Sequence, residues 1–133
     1  MTTQTLARTR TPVTAIAAAA VTTLGAAVTA SGAVYFSLFG PGARVSAGSV
    51  LFATAFLAVK ATAVASAAGM LRGSRTAWRV LLGITAIGEI GFSIVKLVVW
   101  HESAALLFGG VSLFVVIPLL HAPATRRHVG AAR

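Results

Sequence analysis

The chain has no cysteine and no aspartate, and only two acidic residues, Glu89 and Glu102, in 133 positions. Without cysteine there is no disulfide, no thiolate metal site and no thiol chemistry. With two carboxylates, expected at different depths, no acid–base pair can be assembled. Gly91-Phe92-Ser93 is only a fragment of a nucleophile elbow, and neither a phosphate-binding loop nor a dinucleotide fingerprint is present. These absences argue against an enzyme, and no cofactor or metal is expected. Charged residues make up only 10% of the chain, whereas a soluble domain carries about 25%. Such a chain cannot cover a water-facing surface.

What is present is apolar. Hydrophobic residues reach 57% and the mean hydropathy is +0.91, so lipid is the expected solvent. Four long apolar runs are separated by short polar breaks, over roughly 13–38, 49–71, 77–100 and 103–120. Each matches the ~20 residues a helix needs to cross a bilayer. Gly40-Pro41-Gly42 breaks the chain after the first run, Arg72-Gly73-Ser74-Arg75 after the second and His101-Glu102 after the third. The runs are continuous, whereas a membrane barrel shows alternation in segments of about ten residues. Only helices satisfy the backbone of such runs in lipid. The predicted fold is all-α, an integral membrane four-helix bundle in one domain, with basic tails at 1–12 and 121–133. A cleaved signal peptide is disfavoured, because the first run continues through Val34-Tyr35-Phe36, beyond an h-region of about 7–15 residues.

The net charge of +9 does not point to nucleic acid. Arg8, Arg10, Arg72, Arg75, Arg79, Arg126, Arg127 and Arg133 fall on one side of the expected threading, against Arg44 on the other, with Lys96 near it. That is the positive-inside pattern, so both termini are expected in the cytoplasm and the chain in the cell membrane. The expected partners are the lipid bilayer and either another membrane protein or further copies of the chain. The excess of arginine over lysine, with abundant alanine and valine, suits a bacterial gene of high GC content.

Helices in lipid associate through small residues. Ala18, Thr22, Gly25, Thr29 and Gly32 share one face of the first run, and Thr54, Ala58, Ala61, Ala65 and Ala68 share one face of the second. Both faces are expected at helix–helix contacts. Gly69 and Gly73 form the strict GxxxG, running out into a turn, which favours packing within the chain over dimerisation. Phe52, Phe56, Leu57 and Phe114 are expected to fill gaps or face lipid. Trp78 and Trp100 flank the third run, about 33 Å apart at 1.5 Å per residue, which suits aromatic belts at opposite interfaces.

Two charges lie near the middle of apolar runs, Lys60 in the second and Glu89 in the third. A charge at that depth costs about 2.5–3.5 kcal/mol on insertion scales and marks a candidate site. The two runs are joined by a tight turn, so antiparallel neighbours bring the charges to matching depth and predict an ion pair or hydrogen bond. Thr85, Glu89, Ser93 and Lys96 follow at spacings of four, four and three, a polar stripe expected to face the bundle interior or a water-filled cavity. Gly88 and Gly91 flank Glu89 and are expected to admit another backbone. Lys96 is close enough to Trp100 to reach the surface instead. His101 and His121 are about 30 Å apart along a helix and cannot share a metal. His128 is expected in a solvated tail.

Two uses of the Lys60–Glu89 pair stay open. It can fix helix register, in a non-enzymatic accessory or structural membrane protein. It can also serve a small proton-coupled transporter or channel working as an oligomer. The size and four spans resemble the small multidrug resistance family, which implies a dimer exchanging protons for cationic compounds through an intramembrane glutamate. That family's glutamate lies in the first span, which here carries no charge, so its sites are not carried over. The stretch Gly88-Glu89-Ile90-Gly91 ahead of a further apolar helix resembles DoxX-type four-span proteins, which implies an association with respiratory or oxidative-stress complexes.

Overall fold

The computed structural model describes residues 10–131; Arg8 and Arg133 of the expected basic tails lie outside them. Among the described residues the chain is helical, without a strand. Four helices are long and apolar enough to cross a membrane: α1 (Val13–Phe39), α2 (Ala47–Leu71), α3 (Arg75–Val99) and α4 (Ala104–His121). These limits fall within one or two residues of those expected from the apolar runs. A short fifth helix, α5 (Pro123–His128), follows.

Local chemistry explains the helix ends. Pro12, with no N–H to lose, precedes the first turn of α1. Ser46 caps α2, its hydroxyl accepting from the Ser49 N–H while the Ser46 N–H donates to the Ser49 hydroxyl. The turn into α3 is tight. Gly73 takes φ +89°, a left-handed conformation that favours glycine. A Cβ on Gly69 would lie 2.7 Å from the Ala77 Cβ, so the GxxxG serves packing within the chain.

The packed core lies at one end of the bundle. Ala15, Ala18 and Ala19 of α1 meet Ala63, Ala67 and Met70 of α2. Trp78 and Leu81 of α3 and Val116 and Leu120 of α4 complete it. Towards the opposite end the side chains thin out against one another, and Phe36, Phe39, Leu51, Val98 and Leu106 are all exposed. The bundle is closed by its packed core at the arginine-rich end.

The segment after α4 is not a free tail. Ala122 leaves the helical conformation ahead of Pro123, and α5 folds back across the closed end. Thr125 is fully buried and its hydroxyl meets that of Thr14 at 2.7 Å. The His128 ring nitrogen Nε2 lies 2.8 Å from the Leu71 carbonyl oxygen, so His128 is half-buried against the end of α2 rather than solvated. Here the bundle end leaves carbonyls without intrahelical partners, and α5 supplies them.

The α2 interface differs from the small-residue expectation. Thr54, Ala58, Ala61, Ala65 and Ala68 all point outward. The inner face is Ala53, Lys60, Ala63, Ser66, Ala67 and Met70. Alanines occur on both faces, so burial of the one charge decides the rotation of the helix. The outward Thr54 and Thr62 hydroxyls donate to the carbonyls of Val50 and Ala58 four residues earlier, which satisfies them within their own helix.

Candidate functional site

Lys60 of α2 donates to Oε1 of Glu89 of α3, the ion pair linking the two helices across their interface. The lysine side chain is 7% exposed and the glutamate 24%. The Lys60 ammonium also sits 5.0 Å from the centroid of the Phe56 ring, close enough for a cation–π contact. Phe56 stands 6.0 Å from Phe92, which stands 5.9 Å from Trp100. The Phe56–Phe92 contact bridges α2 and α3 on the side of the pair away from the arginine-rich end.

Glu89 lies within a π-helical stretch, Ile84–Gly91, in the middle of α3. Further π-helical stretches occur at Tyr35–Phe39 in α1 and Ser112–Val116 in α4. Wider turns of this kind concentrate at functional sites in helical proteins. Apolar periodicity carries no sign of them, and sequence reasoning missed all three.

Thr85 is buried, and Ser93 packs on α4. A Cβ on Gly109 would lie 2.8 Å from the Ser93 Cβ, so α3 and α4 approach closely there. Gly88 and Gly91, expected to admit a backbone, have no such neighbour: beside Gly88 only the Ile84 side chain comes within 4 Å, at 3.8 Å, and beside Gly91 nothing does. Lys96 leaves the seam. Its ammonium lies 3.0 Å from Oε2 of Glu102, where both side chains are part-exposed near the end of the helix and the long lysine stem can reach water. The structure therefore brings Lys60, Glu89, Thr85 and Ser93 to the bundle interior and places Lys96 at its rim. Both carboxylates of the chain are engaged by lysine.

The two tryptophans differ. Trp100 is half-exposed, whereas Trp78 is buried and its indole N–H donates to the Leu120 carbonyl. Trp78 is a core residue rather than part of a lipid-facing belt. No group of three or more histidine, aspartate or glutamate side chains able to hold a metal occurs among the described residues.

Beside the ion pair is a cavity of about 310 Å³ with walls from all four long helices. Lys60 and Glu89 lie in the wall with the hydroxyl residues Thr22, Thr29, Thr85 and Ser112. The rest is apolar, aliphatic but for Phe108. Thr29 donates to the Gly25 carbonyl at 2.7 Å. Thr22 Oγ1 is the one buried side-chain polar atom without a hydrogen-bond partner among the described residues. Thr22, Gly25 and Thr29 thus line a cavity, and nothing lies within 4 Å of a Cβ placed on Gly25. Leu24 and Val28 of α1 and Leu107 of α4 also line it, at 67%, 59% and 66% exposure. Its mouth is therefore a lateral gap between α1 and α4.

No protein-family model, curated protein or solved structure matches this chain, so neither resemblance drawn from its sequence gains support from comparison.

Proposed function

We propose that the chain is a non-enzymatic, multi-pass protein of the cell membrane, an accessory or structural component in which the Lys60–Glu89 pair sets the register of α2 against α3. The observation that carries this reading is that both carboxylates are engaged in ion pairs with lysine. Neither glutamate side chain stands alone, and Glu89 is held by the neighbouring helix. Arg10, Arg72, Arg75, Arg79, Arg126 and Arg127 gather at the closed end of the bundle, while Arg44 and the Lys96–Glu102 pair are at the other. The positive-inside bias supports a cytoplasmic side for the closed end and both termini.

The test is folded yield and thermal stability in detergent for Lys60→Leu, Glu89→Leu and the double variant. Removing one partner of a buried pair costs about 3–5 kcal/mol, while replacing both by apolar residues is often neutral. Failure of the single variants with recovery in the double supports the register role. Single variants that remain well folded contradict it.

A second reading, an oligomeric proton-coupled transporter, is favoured by the cavity beside Glu89 and by the π-helical turns around it. It requires proton movement in proteoliposomes that Glu89→Gln abolishes.

A further inference from the structure

We infer that the crevice between α1 and α4 is a binding site for a neutral lipophilic molecule carrying a hydroxyl or carbonyl group, which enters sideways from the bilayer and hydrogen-bonds at the Lys60–Glu89 pair and Thr22. The inference rests on the membrane reading above and adds to it the ligand class.

The entry route follows from the rim. Leu24, Val28 and Leu107 are exposed on the outer surface of the bundle and also line the cavity. In a bilayer these side chains face acyl chains, so an apolar molecule reaches the cavity without crossing water. The largely aliphatic wall suits its hydrocarbon part, and the volume falls at the lower end of small-molecule pockets.

The charge of the ligand follows from the pair. Lys60 and Glu89 together are neutral, in surroundings of low dielectric. A cation at Glu89 would compete with Lys60 and leave the ammonium unpaired, and an anion at Lys60 would do the same to the carboxylate. A neutral head group disturbs neither partner. Lys60 has three donors and needs one for Glu89, and Glu89 has a second oxygen. Thr22 adds a hydroxyl that meets no partner among the described residues. A buried hydroxyl left alone is costly; Thr22 lines the cavity, its oxygen is closed off from it, and a turn about χ1 is what brings the hydroxyl to a bound head group.

The full chain, reconstituted in phosphatidylcholine vesicles, is photolabelled with a diazirine-bearing octanol, and the labelled peptides are mapped by mass spectrometry. Labelling is expected on the crevice segments of α1 and α4, competed by 1-octanol and not by octane, octylammonium or octanoate. Gly25 lines the cavity and has open space around the position of a Cβ. Gly25→Leu is therefore expected to fill the crevice and lower the labelling by about tenfold, and Thr22→Val by somewhat less, on the scale of one lost hydrogen bond. Circular dichroism checks that both variants keep their helix content. Competition by octane equal to that by octanol shows an apolar gap filled by acyl chains and overturns the inference. So does stronger competition by octylammonium, which would make Glu89 a cation site. Labelling outside the crevice, or unaffected by both substitutions, overturns it as well. Flotation separates the two readings: a chain that does not float with the vesicles ends the membrane reading and the inference together, while one that floats without crevice labelling ends the inference alone.

Discussion

The indole N–H of Trp78, at the start of α3, donates to the carbonyl oxygen of Leu120, at the end of α4, at 2.9 Å. The acceptor belongs to the last turn of α4, where carbonyls lack intrahelical partners. The same ring stands edge-on to His121, with centroids 6.3 Å apart. One side chain therefore closes the end of the bundle and satisfies an orphaned backbone group. Trp78→Phe keeps most of the packing and loses the bond. It is expected to lower stability in detergent by about 1–3 kcal/mol, the cost of a buried acceptor left unpaired, read as a fall in the thermal midpoint. Trp100→Phe, at a half-exposed position, is expected to change it little.

Gly109 and Gly110 are adjacent on α4 and differ in surroundings. A side chain at 109 meets Ser93 at 2.8 Å, whereas nothing lies within 4 Å of one at 110. Gly109→Val is expected to force α3 and α4 apart at a cost of about 1–3 kcal/mol. Gly110→Ala is expected to be neutral or to stabilise by up to about 1 kcal/mol through helix propensity. Thermal midpoints of the two variants in one detergent make the comparison.

Thr22 holds a buried hydroxyl without a partner. Thr22→Val replaces it with a methyl of similar shape. Purified in detergent without added ligand, this variant is expected to be more stable than the parent by about 1 kcal/mol. A loss of stability would show that the hydroxyl is bonded in solution.

The absence of cysteine makes every introduced thiol a single reporter. Ala43, in the loop between α1 and α2, and Thr76, in the first turn of α3, lie at opposite ends of the bundle. In intact cells a membrane-impermeant maleimide is expected to label Ala43→Cys and not Thr76→Cys, with both labelled after lysis. The reverse pattern would put the arginine-rich end outside.

The helices were legible because their signal is additive. Each apolar run of about 20 residues reports a helix able to cross a membrane whatever its neighbours do. Lys60 and Glu89 were legible as partners because they lie at similar distances on either side of a tight turn, and the structure joins them. The inner face of α2 was not. Alanine spacing allowed two faces, and the stripe through Ala58 and Ala65 proved to be the outer one. The π-helical turns, the docking of α5 and the crevice were hidden for a related reason: each depends on what faces a residue across the bundle, not on its neighbours in sequence.

The sequence by itself determined four long apolar helices, their limits and the concentration of arginine at one end, because hydropathy and charge are summed along the chain. Tertiary structure alone decided which face of each helix turns inward, that Trp78 is core, that α5 covers the closed end, and that α1 and α4 part beside the ion pair. Those outcomes depend on contacts between distant residues. Trp78 with Leu120, Thr14 with Thr125 and Ser93 with Gly109 meet only when the helices are assembled.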